Sequence, residues 1–558
     1  MASSSEVSRK SISVELPAAS PLWRRFLLPS FSDCLFIAIF VWLFSSGSGG
    51  WASLLDDGDT GWHIRTGEWI LRNGMVPRQD LFSFSKAGEA WFAWEWLTDI
   101  LYAALHGAAG LKGVILLSAL VIAGFGTILF RHMIARGANP FAALAASLVV
   151  FGASSIHYLA RPHVFTLLGM TVALLLIDAD RRKPAARIWL LVPMTLVWVN
   201  LHGGFLGLIG CLGLLVAGSL VEAALAVRVD GVKWNLRPSL RYAVLFALCT
   251  AVTFVNPYGW HLHYHVFQFL RSDWIKNTIQ EFQSPVFRSE SSMQFELMLF
   301  LGLMTVAWLL ARRQIVPALW ILFWAHSALA SVRHVPLFMI VAAPWVAALL
   351  TELWSRHVET AGRKSLRSIF ANIARDMRPG CSRSSVWIAA AAAFFALVPE
   401  TVGRWPKDFP AAKFPVAMAA RHQEILTSRR TLTEDQWADY LIYRNYPHQK
   451  VFVDGRSDFF GEKIGEEYLH MMQGRWDWAA LMEKYRFEVV LSPLNWPLTT
   501  LLKQDSNWRV VDDNGRALLF EKVRANESSV PVPSGQRFPA SEKKAQHKSN
   551  ENARPGRS

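Results

Sequence analysis

The chain has 558 residues, 52% of them hydrophobic and only 18% charged, with 25 tryptophans, a mean hydropathy of +0.23 and a formal net charge of +14. A soluble enzyme of this length carries more charge and fewer long apolar runs, so the composition excludes that class and points to a membrane protein. The positive charge falls in alternate connections between apolar runs, which assigns it to orientation in a bilayer and excludes nucleic acid as its partner.

In chain order, residues 1–30 read as a Ser-rich cytoplasmic N-terminal segment ending in Arg24–Arg25. Apolar runs follow at 31–49, 110–131, 140–158, 164–179, 187–202, 204–223, 241–256, 295–311, 316–332, 336–354 and 385–400. With their flanks they approach the ~20 residues that cross ~30 Å of hydrocarbon, giving about eleven spans between 31 and 400. Basic clusters stand at every second connection: Arg131 and Arg136, Arg181 to Arg187, Arg228 to Arg241, Arg312–Arg313, and Arg356 to Arg383. By the positive-inside rule these are cytoplasmic. The chain is then expected in a bacterial-type inner membrane, its N-terminus inside and residues 401 onward outside. About thirty residues precede the first apolar run, longer than a usual signal-peptide n-region, so that run reads as an uncleaved anchor.

Two external connections are long, 50–109 and 257–294, and long ordered loops usually carry function. Within them "WFAWEWLTDILYAALHG" (91–107) and "NPYGWHLHYHVFQFLRSDWIKNTIQEF" (256–282) are amphipathic and aromatic-rich, suited to helices at an interface. From 401 the chain turns polar. Strands are expected at 450–460, 487–493 and 508–523, the last folded at Asp-Asn-Gly, with a helix over 466–486. This makes a small α/β domain over 401–525, followed by a basic tail (526–558) too poor in apolar residues to fold. Cys34, Cys211, Cys249 and Cys381 fall in spans or on the cytoplasmic side, so no disulfide staples the outer domain, and no zinc-type spacing exists.

The chemistry-bearing stretch is "LLDDGDTGWHIRTGEWILRNG" (54–74), three aspartates in four positions just beyond the first span. Asp57 and Asp59 could serve as a general base with a charged neighbour, could hold a divalent cation, or could sit in a solvated turn. His63 and Arg65 follow on a helical run, and Arg65 on the outer side would suit a phosphate. Other external ends repeat the pattern: Glu95, Arg161 and His163 around Pro162, His202 at a Gly-rich reversal, and Arg333 with His334. His261, His263 and His265 cannot share one helical face, and Asp454, Arg456 and Asp458 read as an Asp-Gly turn with a local ion pair.

The order of "DGD", "WHIRTGEWI", "GMVPRQDLFSF" and "WEWL" resembles the type-C glycosyltransferase superfamily, which includes the protein O-mannosyltransferases and aminoarabinose transferases. The resemblance is densest over about 50–100. It implies a polytopic helical membrane fold and transfer of a sugar from a polyprenyl-phosphate donor to an extracytoplasmic glycan, lipid or protein. Asp57 and Asp59 match the family's first-loop acids, one acting as general base, with Asp57 favoured. His63, Arg65, Glu95, Arg161, His163, His202, Arg333 and His334 are the candidate donor-phosphate or substrate ligands. The sequence departs from the pattern in the extra Asp56 and in Gly61, where related chains often carry another aromatic. The competing readings are a transporter of an anionic lipid or sugar and a non-catalytic membrane scaffold.

Overall fold

The computed structural model describes residues 26–45, 50–362, 364–398 and 405–523. The expected cytoplasmic segment before residue 26 and the expected tail from 526 lie outside the described residues. A helix occupies each expected apolar run: Phe31–Phe44, Trp96–Ala135, Pro140–Ala153, Val164–Arg182, Leu191–Leu201, Phe205–Asp230, Arg237–Val252, Glu290–Ala311, Ile315–Ala330, Val335–Glu359 and Trp387–Leu397. Their ends follow local chemistry. Ser30 and Asp33 form a reciprocal capping box, Asn139 caps a helix with Pro140 at its first position, and Gly110, at φ +61, breaks Trp96–Ala135 where the second span was expected to begin.

Among the described residues, four helices are long and apolar enough to cross a membrane by themselves. Two of them, Trp96–Ala135 and Val332–Glu359, are 72% and 78% buried over their apolar windows and form the centre of the bundle. The other two, Phe205–Asp230 and Ser291–Ala311, are equally apolar yet only 33% buried. A helix apolar on all sides and mostly uncovered is stable only against lipid. At one end of the bundle the basic clusters meet acids, as in Asp180 with Arg241 (2.9 Å) and Asp178 with Arg182 (3.2 Å).

Residues 405–523 carry a four-stranded sheet of β1 (Thr431–Thr433), β2 (Val489–Pro493), β3 (Trp508–Asp513) and β4 (Ala517–Lys522). The spatial order is β1-β2-β4-β3, parallel between β1 and β2 and antiparallel elsewhere, with Val490 opposite Phe520. The β3–β4 hairpin turns through Gly515 at φ +77, as Asp-Asn-Gly implies. The expected strand at 450–460 is not in this sheet. Val451 instead exchanges backbone hydrogen bonds with Phe82 (3.0 Å) and Phe84 (2.9 Å) of the first long loop, and the chain turns into helix Ser457–Met472. The expected helix 466–486 is two helices, Ser457–Met472 and Trp478–Lys484, parted at Gly474 (φ +62).

The outer unit therefore lacks a private core. Phe82 and Trp91 of the loop are buried with Val453, Phe487, Leu518 and Phe520. Helix Asp435–Asn445 packs along helix Asp59–Asn73, and Gly58 and Gly61 make that possible. A Cβ on Gly58 would stand 2.4 Å from the Gln436 carbonyl, and one on Gly61 would stand 2.7 Å from the Tyr443 Cβ. The departure from an aromatic at position 61 thus has a structural reason, since the outer helix occupies that space. Arg65 latches the same contact, donating from Nε to the Tyr443 carbonyl (2.6 Å) and from Nη1 to Glu68 (2.6 Å). Arg65→Met keeps the stem but loses these bonds. It is expected to loosen the outer helix by about 1 kcal/mol, seen as faster proteolysis within 405–523 while the membrane helices stay protected.

Candidate active site

The acidic motif enters helix Asp59–Asn73 through Gly58, whose carbonyl accepts from the Gly61 N–H (2.7 Å). Asp57 Oδ1 accepts from the Asp59 N–H (2.9 Å), so the two carboxylates leave the same turn in different directions. Opposite them stands the Arg161–Pro162 turn. Ala160 donates to the Leu54 carbonyl (2.7 Å) and accepts from the Thr60 hydroxyl (2.8 Å), pinning this turn to both flanks of the motif. Arg161 then reaches Asp57 (2.8 Å), Asp59 (2.7 Å) and Glu281 (3.1 Å) with its two terminal nitrogens.

A second group lies beside it. His63 Nδ1 is 2.6 Å from Asp99 Oδ1, and its Nε2 is 3.5 Å from Glu95 Oε2. His202 Nδ1 accepts from the Gly204 N–H (3.0 Å), which leaves the ring proton on Nε2, 3.5 Å from Glu95 Oε1. The Thr166 hydroxyl completes this network, accepting from Trp198 Nε1 (3.0 Å) and donating to His202 Nδ1 (2.7 Å). The Glu95 carboxyl therefore lies between the Nε2 atoms of two imidazoles. His163 Nε2 donates to the His157 carbonyl (2.7 Å).

Asp59, His63, Glu95, Arg161, His163, His202, Arg333 and His334 line one cavity of about 280 Å³. Part of its wall is aromatic, from Trp62, Trp91, Phe92, Trp94, Phe282 and Trp324. Asp57 adjoins the cavity behind Arg161. Arg65 does not line it, because the outer helix engages its guanidinium. Arg333 is the cavity's unclaimed cation: among the described residues it makes no hydrogen bond or ion pair and lies over the Phe282 ring at 4.3 Å.

Sequence reasoning missed several members. Glu281 sits in an unremarkable "IQEF". Asp99, four residues from Glu95 on a helix, had the spacing to be noticed. Asp439 and Gly455 come from the outer unit, where no local signal marks them. The "DGRSD" turn enters the cavity wall through Gly455, Arg456, Ser457 and Asp458. Its ion pair is local, as expected, with Arg456 Nε to Asp454 at 2.8 Å, but it also reaches Asp80 of the first loop at 2.8 Å. The three histidines of the second long loop diverge as expected, His263 to Thr253 (2.8 Å) and His265 to Asp458 (2.9 Å).

Burial sets the proton affinities. Desolvation, with Asp57 and Glu281 adding repulsion against the pull of Arg161, pushes the Asp59 carboxyl up to about 7. Burial likewise pushes Glu95 up to about 8, with Asp59 and Asp458 adding to it. Glu281 goes the other way, to about 2, because Arg161 outweighs its burial. Burial and the nearby arginines hold His202 down at about 3 and keep His63 neutral. The site at neutral pH thus contains a neutral imidazole on each side of a protonated Glu95, and a carboxyl at Asp59 poised between its two forms.

Asp57 and Asp59 do not fit a divalent cation as they stand, since each gives an oxygen to Arg161. Among the described residues no group of three or more His, Cys, Asp or Glu side chains is arranged to hold a metal.

No protein-family model and no curated protein matches the chain. Among solved structures it is similar to the archaeal oligosaccharyltransferase AglB from Archaeoglobus fulgidus, in complex with an inhibitory peptide and a dolichol-phosphate. That likeness has a TM-score of 0.54 at 11% identity, over 90% of this chain and 74% of that one. ArnT from Cupriavidus metallidurans, bound to undecaprenyl phosphate, gives 0.43 at 13% identity over 88% of this chain and 98% of its own. Its apo state gives 0.43 at 15% identity over 88% and 97%. The chain is a multi-span helical membrane protein that shares the fold of that archaeal oligosaccharyltransferase.

Proposed function

We propose that this chain is an inverting membrane glycosyltransferase that moves a sugar from a polyprenyl-phosphate donor to an acceptor outside a bacterial-type inner membrane. The observation that carries this reading is the cavity itself. Eight of the ten residues singled out as candidates line it, carboxylates together with an unclaimed arginine, Arg333. AglB, which shares the fold, was solved with a dolichol-phosphate. An aromatic wall suits a sugar ring, and an apolar side formed by Phe269, Leu270 and Leu337 suits a lipid tail. Helix Trp260–Arg271 beside it exposes Trp260, Tyr264 and Phe267, giving the tail an approach through lipid.

In this scheme Asp59, which lines the cavity, is the base, and Asp57 positions Arg161 behind it. The acceptor hydroxyl gives its proton to Asp59, and its oxygen attacks the anomeric carbon. The bond from that carbon to the phosphate oxygen breaks, and the electron pair leaves with the polyprenyl phosphate, whose growing charge Arg333 stabilises. Burial holds Glu95 neutral, so it adds no anion of its own beside the departing phosphate.

The test is transfer from a panel of radiolabelled polyprenyl-phosphate sugars in membranes, with Arg333→Ala as the informative variant. Loss of one charge-assisted contact of about 1.5–3 kcal/mol predicts a KM for donor raised about 10- to 100-fold. Absence of transfer from every donor, together with lipid movement across reconstituted vesicles, would replace this reading by transport.

A further inference from the structure

We propose that Arg161 is the built-in cation of this site: its guanidinium holds Asp57, Asp59 and Glu281 in the place where a divalent ion would otherwise gather them, so the site works without a bound metal. The inference rests on the transferase reading only for its activity arm.

The geometry is that of a coordination centre with the ion replaced by a side chain. Three carboxylates, two from the acidic turn and one from the second long loop, converge on one group, at 2.8, 2.7 and 3.1 Å. Divalent ions require oxygens at about 2.0–2.6 Å from a single point. A planar guanidinium spreads its donors over two nitrogens and keeps the same oxygens too far apart for that. The group is also anchored: the residues on either side of the motif, Leu54 and Thr60, both bond to Ala160, next to Arg161. Pro162 stiffens the turn from the other side. Arg161 therefore cannot swing away without undoing the acidic motif's own backbone contacts.

Charge by itself would favour a further cation. Three carboxylates against one guanidinium leave an excess of negative charge, which a divalent ion would reduce further. The site meets the excess by proton uptake instead, with the Asp59 carboxyl pushed up to about 7 while Asp57 and Glu281 face it. The charged groups that act on Asp59 share this balance: Asp57, Arg161, Glu281 and Glu95, with Asp439 of residues 405–523. A guanidinium keeps its charge at any working pH and cannot be chelated. It does not acidify a bound water, which leaves deprotonation of the acceptor to Asp59 alone.

The experiment compares wild type with Arg161→Ala, both full-length in detergent and stripped with EDTA. It follows Mn²⁺ binding by electron paramagnetic resonance, the Tm with and without Mn²⁺, and transfer. Wild type is expected to bind no Mn²⁺ at this site, to show a Tm indifferent to it, and to transfer equally well in EDTA. Arg161→Ala is expected to bind one Mn²⁺ and to gain at least 5 °C in Tm from it, and adding Asp57→Asn should abolish both effects. Should Arg161→Ala not be isolable, Arg161→Ala/Glu281→Gln, which relieves one negative charge, takes its place. Wild-type transfer that stops in EDTA and returns with Mn²⁺ would overturn the proposal. So would a folded Arg161→Ala protein that binds no Mn²⁺, because the carboxylates would then not form a cation cage. If no donor is ever turned over, the resonance and Tm arms still decide the role of Arg161, and only the transferase reading has failed.

Discussion

Asp59→Asn is expected to slow sugar transfer by about 10²–10⁴-fold in a membrane assay, the range associated with loss of a positioned base. Donor binding should change little, because Arg333 sits elsewhere in the cavity. The wild-type pH profile gives an independent check with a definite sign. Asp59 must lose its proton to act, and its carboxyl is pushed up to about 7, so kcat/KM rises with pH through that region. Glu95 is held neutral up to about 8. Above that value its ionisation adds an anion beside the departing phosphate, so the rate falls again. A narrow bell between about 7 and 8 is the expected profile. Glu95→Gln should remove the alkaline limb, keep the acid limb and leave Tm nearly unchanged, since the amide mimics a carboxyl that is already neutral. An unaltered alkaline limb in that variant would remove Glu95 from the scheme.

The second large effect comes from a single methyl group. A Cβ on Gly455 would stand 2.0 Å from Asp59 Oδ1 and 2.9 Å from Asp439 Oδ2. Neither oxygen can yield cheaply. Arg161 holds Asp59, and the Gly455 N–H donates to both Asp439 oxygens at 3.1 and 3.2 Å. Asp59 Oδ1 is itself buried without a hydrogen-bond partner among the described residues. Gly455→Ala is therefore expected to reduce transfer by at least about 10²-fold, while overpacking costs only about 1–3 kcal/mol of stability. The measurement is transfer alongside Tm and protease protection of 405–523. Full activity in a well-folded Gly455→Ala protein would mean that the outer unit's turn stands clear of the reacting groups.

These expectations locate what local sequence encodes. The apolar runs were legible because a helix must cover its own backbone polar groups in lipid, and that demands long stretches without charge. The β3–β4 hairpin was legible because Asp-Asn-Gly supplies the left-handed residue at the turn. The strand expected at 450–460 was misread because an extended apolar run shows that it pairs, but not with what. It pairs with Phe82 and Phe84, some 370 residues earlier. β1, at three residues, is too short to show a period, and the outer helix 435–445 was overlooked.

Among site residues, the sequence alone determined the chemical types and the side of the bundle on which they gather: carboxylates at Asp57, Asp59 and Glu95, and cations at Arg161 and Arg333, each at the end of an apolar run. Only the tertiary structure decided their roles. Arg65 and Arg161 look alike as external arginines, yet one latches a helix and the other draws three carboxylates together. The difference lies in what packs against each side chain: Tyr443 in one case, Asp57, Asp59 and Glu281 in the other. Burial then converts ordinary carboxyls into groups that titrate near neutrality. Long-range packing and desolvation are properties of the assembled molecule, and no stretch of neighbouring residues contains them.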